Sequence, residues 1–309
     1  MDIIISSVPV PGVHGGDAVQ VASALGVEVS GLIDLSASLN PFAPDVARFA
    51  SKHLSALTAY PDDQAATQHM ASALGVDTEL LVLTNGGAEA ISLVAAELGA
   101  GWVEDPEFAL YRRHLPLIDP EAGRWRSNPS NPLGHLAPPE ATAAVWDEAF
   151  YPIATGEWTR GDASSWRLGS LTKLWSCAGL RLGYVIAPTV GQAEAIRTRR
   201  PQWSVNGLAL ALVPELLAAT ELKQWAVDIA TLRDTFVASL TGLGFAVSPS
   251  EANWVLVTDQ VDLRSRLAGH GVLVRDCSNF GLANTTRIAL PTASQLDPVM
   301  TAIERVSRV

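Results

Sequence analysis

Apolar and polar positions along the chain follow two rhythms. Leu80–Thr84, Trp102–Glu104, Arg124–Ser127, Ala143–Asp147, Trp166–Ser170 and Leu182–Ala187 are short, apolar-rich runs of strand length. Residues 17–25, 44–56, 63–74 and 88–98 instead repeat apolar residues at helical spacing. Leu80–Thr84 stops at Asn85-Gly86-Gly87 and a helical period resumes from Ala88. Strand, glycine turn, helix is an α/β pattern, and its recurrence predicts one mainly parallel sheet covered by helices on both faces. The last third changes character: residues 208–241 are strongly helical. Phe245–Val247, Trp254–Val257, Val272–Arg275 and Arg287–Leu290 read as short strands, and 294–308 as a closing helix. That predicts a smaller α+β domain. Ile33–Leu39 reads as a strand-like run stopped by Asn40-Pro41. The expected division is an N-terminal segment (1–43) packing with the small domain, a large α/β domain (44–205) and a small C-terminal α+β domain (206–309).

Composition narrows the function classes. A chain of 309 residues is long enough for about two domains and a full core. With 48% hydrophobic and 17% charged residues it is neither disordered nor of low complexity. A net charge of −11 argues against nonspecific nucleic acid or anionic membrane as a partner, since both call for a basic face. No apolar run reaches the ~20 residues that span a bilayer; Leu208–Leu217 comes nearest, and Pro214 is expected to break it. The opening MDIIISSVPVPG lacks the basic start and long apolar core of a signal peptide. Cys177 and Cys277, far apart, suggest no disulfide framework, and a reducing cytoplasm is the expected location. His53, His69, His114, His135 and His270 show no metal-ligand spacing, so no metal is expected.

Four motifs carry candidate chemistry. Thr84–Glu89 (TNGGAE) sits where a strand gives way to a helix, and free amides at a helix start bind anions, although an ordinary tight turn has the same composition. Asn128–Gly134 (NPSNPLG) is a rigid loop able to aim the Asn131 amide inward, or simply a surface turn. Asp147, in VWDEAF, ends a buried strand, where open α/β sheets bind ligands; a helix cap or a structural ion pair is the plainer alternative. Lys173, in SLTK, stands in a mostly apolar stretch with Arg181, in GLRLGY, eight residues on. A partly desolvated lysine has a lowered pKa and becomes nucleophilic, and an arginine suits a pair of phosphate oxygens; two surface cations would be the bland alternative.

In this order the motifs resemble the pyridoxal-5′-phosphate enzymes of fold type I, the aspartate aminotransferase superfamily, over nearly the whole chain. The resemblance implies pyridoxal 5′-phosphate as cofactor, with Lys173 joined to its aldehyde and later moving a proton. Asp147 would pair with the pyridinium nitrogen and Asn131 with the ring hydroxyl. Gly86, Gly87, Ala88, Ser170 and Arg181 would hold the phosphate, and Phe108 (in PEFALY) would stack on the ring. Tyr60 (in YPD) is similar to the tyrosine that reaches the neighbouring subunit's phosphate, which implies a homodimer.

Within that superfamily His14-Gly15-Gly16-Asp17, Ile33–Pro41, Trp203–Asn206 and Val274–Phe280 look like the threonine-phosphate decarboxylases of cobalamin biosynthesis. So does Phe150, where aminotransferases usually carry tyrosine. This implies decarboxylation of a small phosphorylated amino acid, with Arg287 at the carboxylate-binding position and His14, Asn253 and Arg275 as further substrate ligands. An aminotransferase of histidinol-phosphate type, or a non-catalytic scaffold of the same fold, are the rival readings. Three departures stand out: Pro291 where those decarboxylases place an arginine, Leu133 for the usual threonine of the asparagine loop, and a short interval from Tyr111 to Asp147 that leaves the sheet trimmed on one side.

Overall fold

In this computed structural model, residues 8–10, 12 and 15–308 are described. Strand β1 (Ile33–Asp34) precedes seven strands of one sheet: β2 (Leu81–Thr84), β3 (Ala100–Val103), β4 (Leu117–Ile118), β5 (Arg124–Ser127), β6 (Val145–Asp147), β7 (Trp166–Ser170) and β8 (Gly183–Ile186). They lie in the order β2-β8-β7-β6-β5-β3-β4. β8 is antiparallel to both its neighbours, and the remaining pairs are parallel.

Side chains alternate across this sheet, as the two-residue strand period requires. From β2 and β8, Val82 and Val185 face the helix Gly86–Leu98, which buries Ala90, Ile91 and Val94 against them. Leu81, Leu83, Tyr184 and Ile186 face the other way and meet Met70 and Leu74 of helix Gln64–Leu74 and Leu212 and Leu216 of helix Gly207–Ala218. Both faces are therefore covered, which explains the near-continuous apolar character of these strands.

The C-terminal third adds β9 (Ala246–Ser248), β10 (Trp254–Thr258), β11 (Val272–Leu273), β12 (Arg275–Asp276) and β13 (Thr286–Ala289). β12-β13-β10-β9 form an antiparallel sheet, while β11 pairs in parallel with β1. The closing helix Ala293–Ser307 starts in a capping box between Thr292 and Gln295 and buries Val299, Ala302, Ile303 and Val306.

Several local expectations need correction. The strand-like run at 33–39 is a strand only over Ile33–Asp34, because the backbone beyond turns inward and gives its carbonyls to side chains of the site. Residues 44–56 form a short helix, Val46–Ala50, and a 3-10 turn, Leu54–Thr58. The helical stretch at 208–241 is two helices, Gly207–Ala218 and Leu222–Gly242. Pro214 does not break the first of them; it sits inside it. The short interval before Asp147 holds β4 and β5, and β4 at the sheet edge is only two residues long. The connection that follows is pinned by Arg160, whose guanidinium donates to the carbonyls of Ala137, Pro138, Pro139 and Ala141.

Candidate active site

The chemistry-bearing residues gather at the carboxyl ends of β5, β6 and β7 and at the start of helix Gly86–Leu98. Register aligns Thr84, Gly183 and Ser170 across β2, β8 and β7. That alignment requires glycines. A Cβ on Gly183 would stand 2.6 Å from the Gly86 carbonyl carbon, and one on Gly86 (φ +78°) would stand 2.4 Å from Arg181 Nη2. A Cβ on Gly87 would touch the Ser170 side chain at 3.4 Å. Ala88 follows in the first turn of the helix. Helix-start amides, the Ser170 hydroxyl and the Arg181 guanidinium thus surround one small space, a cup with the donors and charge for a phosphate.

Lys173 lies in the short helix Leu171–Leu174, directly after β7. Its Nζ donates to the Ala37 carbonyl at 2.8 Å and lies 6.0 Å from the centre of the Phe150 ring. Burial, then the nearby Arg287 and Arg181 guanidinium groups, push its pKa down to about 8 against the opposing pull of Asp34 and Asp147. Such an amine is far closer to its neutral, nucleophilic form at neutral pH than an ordinary lysine.

Asp147 ends β6, opposite Ser127 of β5. Its Oδ2 accepts from the Tyr111 hydroxyl at 2.8 Å and its Oδ1 from the Ala149 amide at 3.0 Å. Burial raises the pKa of its carboxyl, while these two donors and Lys173 act against the rise. Phe108 packs edge-on against Tyr111, ring centres 5.8 Å apart. Asn131 is buried, its backbone N–H donating to Ser127 Oγ at 2.8 Å and its side-chain Oδ1 accepting from Arg287 Nη1 at 2.6 Å.

Arg287 is also buried; Nη2 donates to the Ser36 carbonyl at 3.2 Å, and the guanidinium lies over the Trp254 ring at 5.0 Å. Its Nε has no partner among the described residues, and burial pushes its pKa down to about 10. Arg275 and Arg287 are directly opposed in the β12–β13 pair, and Arg275 Nη1 donates to the Gly12 carbonyl at 2.7 Å. Asn253 is fully buried and donates through Nδ2 to the carbonyls of Ser38 and Leu39, both at 3.0 Å, while its Oδ1 has no partner among the described residues. Tyr60 lies apart from this cluster, 80% exposed and packed at a tilt of 31° against Trp203, ring centres 4.5 Å apart. His14 lies outside the described residues.

Sequence reasoning missed four members of the cluster. Tyr111 fixes Asp147. Trp254 donates Nε1 to the Pro132 carbonyl at 2.9 Å and packs edge-on against Phe150, which puts one aromatic wall beneath both Lys173 and Arg287. Glu107 and Ser127 join below the asparagine loop. For Tyr111 and Glu107 a faint signal existed: both lie in the PEFALY motif already singled out for Phe108.

A nucleophilic amine, a buried carboxylate and a phosphate cup with glycine walls suit a phosphorylated heteroaromatic aldehyde. Residues 125–303 match the sequence model of the family described as aminotransferase class I and II. The chain is 28% identical to threonine-phosphate decarboxylase of Salmonella typhimurium, over 95% of this chain and 96% of that protein. It is 27% identical to histidinol-phosphate aminotransferase 2 of Methylococcus capsulatus, over 98% and 99%. Among solved structures, histidinol-phosphate aminotransferase from Sinorhizobium meliloti in complex with pyridoxal-5′-phosphate superposes with a TM-score of 0.75 at 21% identity, covering 88% of this chain and 90% of that one. Fold, site chemistry and matched sequence agree: the chain belongs to the aminotransferase class I and II family, fold type I enzymes whose cofactor is pyridoxal 5′-phosphate.

Proposed function

We propose that the chain decarboxylates L-threonine O-3-phosphate to (R)-1-amino-2-propanol O-2-phosphate, a step of cobalamin biosynthesis. The observation that carries this reading is the Arg275–Arg287 pair. Both residues are buried and directly opposed on antiparallel strands, with Asp17 and Asp276 among the charges near Arg275. Two such cations suit a ligand with two anionic groups, a carboxylate and a phosphate. The threonine-phosphate decarboxylase relative supports the same substrate class.

The cofactor, when bound, supplies a ring that accepts the electron pair left on Cα as a bond there breaks. The protein does the rest. Lys173 would hold the cofactor aldehyde, and Asp147 would keep the ring nitrogen protonated. Asn131 would meet the ring hydroxyl without help from Phe150, which has no donor, and Phe108 would cover one ring face. Gly86, Gly87, Ala88, Ser170 and Arg181 would take the phosphate. Arg287 would hold the substrate carboxylate, the group lost as CO2, and Lys173 would deliver a proton to Cα in its place. Arg275, Asn253 and His14 would complete the substrate pocket. With Pro291 where an arginine is expected, the load on Arg275 for the substrate phosphate is greater.

The same proposal includes a cytoplasmic homodimer in which the exposed Tyr60 reaches the partner's cofactor phosphate. It also includes the division at 43 and 205, supported by the β1–β11 pairing that ties the N-terminal segment to the C-terminal third. A second reading, transamination of histidinol phosphate, draws on the Methylococcus relative. Under it Arg275 would meet the phosphate, and Arg287 the carboxylate of the amino-group acceptor.

Comparing threonine phosphate with threonine tests the reading. We expect kcat/KM at least a hundredfold higher for the phosphate ester in the wild type, and Arg275→Ala to remove most of that preference. Equal use of both substrates would contradict it.

A further inference from the structure

Glu107 is a desolvated acid at the site with no part in the function proposed above. It lies in the loop between β3 and the helix Ala109–His114. Its Oε1 accepts from the Ser127 amide at 2.8 Å, and both its oxygens lie within reach of the Ser127 hydroxyl, at 2.9 and 2.6 Å. The Phe108 amide donates to Oε2 at 3.0 Å. The Ser127 hydroxyl, donating to Glu107, accepts from the Asn131 backbone N–H. Asn131 Oδ1 then accepts from Arg287 Nη1. Glu107 and Ser127 thus hold the backbone of Asn131, whose side chain carries the link on to Arg287 and joins the central sheet to the C-terminal one.

Every group that meets Glu107 is a donor, so only an acceptor on both oxygens satisfies them. A glutamine at 107 would turn its NH2 toward either the Ser127 or the Phe108 amide. Burial pushes Glu107 up to about 7, so the fold bears a cost to keep an acid here. Ser127 stands opposite Asp147, which sets this chain one strand away from the carboxylate assigned to the ring nitrogen.

We propose that Glu107 is a positioning residue: it fixes the Ser127 hydroxyl, which fixes Asn131 toward the cofactor ring and seats Arg287. The proposal rests on the assignment of Asn131 made above. Its test is the dissociation constant for pyridoxal 5′-phosphate on the full chain, with the visible circular dichroism of the loaded protein as a second readout. Glu107→Gln is expected to raise the constant at least fivefold and weaken the visible band. In an Asn131→Ala background the same change is expected to add less than twofold, because the Asn131 side chain through which it reaches the ring and Arg287 is gone, although the backbone amide at 131 still meets Ser127. Should Glu107→Gln fail to fold, Ser127→Ala cuts the same chain one link on and carries the same two expectations. A change below fivefold, or a further loss of twofold or more in the Asn131→Ala background, overturns the proposal. A wild-type chain that does not bind the cofactor would instead sink the proposed function itself.

Discussion

Tyr111 donates its hydroxyl to Asp147 Oδ2 across 2.8 Å, from a ring with no exposure to solvent. Burial and the adjacent Asp147 and Glu107 carboxyls hold its phenol well above the usual tyrosine range, so the proton stays on Tyr111 and the carboxylate stays an acceptor. With the Ala149 amide on the other oxygen, both oxygens of Asp147 are fixed in direction.

Tyr111→Phe should therefore lower kcat/KM by about tenfold, the loss of one charge-assisted hydrogen bond of ~1.5 kcal/mol. Asp147→Ala should cost ~3–4 kcal/mol or more, several hundredfold, since it removes a preorganised charge. Steady-state kinetics on both variants check this ordering. A larger loss in Tyr111→Phe than in Asp147→Ala would contradict the supporting role of the tyrosine.

The lowered pKa of Lys173 sets a pH dependence for cofactor attachment. With its value near 8, about a tenth of the amine is neutral at pH 7, against less than a thousandth for an ordinary lysine. The rate at which the cofactor-free chain takes up pyridoxal 5′-phosphate should rise with pH and level off above about 8. Stability follows the same shift. Between about 8 and the ordinary value of 10.5 the folded chain holds fewer protons at this site than the unfolded one, so this residue's contribution to stability rises with pH across that window. Stopped-flow absorbance and Lys173→Ala, which should abolish both uptake into a reducible linkage and turnover, check the point.

Gly86→Ala should abolish tight cofactor binding while sparing the fold. The added methyl would enter the space of the Arg181 guanidinium at 2.4 Å, at a residue with φ +78°. The flexible arginine can yield, but only by leaving the phosphate cup. Equilibrium dialysis with pyridoxal 5′-phosphate reads the loss directly; unchanged affinity would remove the cup from the account.

Gly169→Ala tests packing rather than chemistry. A Cβ there would lie 2.0 Å from Cζ of the Tyr184 ring, buried in the sheet core next to Ser170. Overpacking of this kind costs ~1–3 kcal/mol, and thermal unfolding should show it.

What the sequence disclosed, and what it hid, follows from the range of each interaction. The turn at Asn85–Gly87 and the lysine at 173 were legible because strand, turn and helix are local patterns. The contacts of Glu107 with Ser127, of Tyr111 with Asp147 and of Trp254 with Pro132 span many residues and leave no period to read. The run at 33–39 misled for a related reason. Its apolar spacing suits a strand, but the carbonyls of Ser36, Ala37, Ser38 and Leu39 bond Arg287, Lys173 and Asn253 instead of a neighbouring strand. Helix Val190–Arg199 escaped notice because it buries only Ala193 and Ile196 and shows almost no amphipathic stripe.

The most direct measurement is the identity of what the loaded enzyme releases from L-threonine O-3-phosphate. The account predicts stoichiometric CO2 and (R)-1-amino-2-propanol O-2-phosphate, with the cofactor returned unchanged. Accumulation of pyridoxamine phosphate and a keto acid, without CO2, would contradict it.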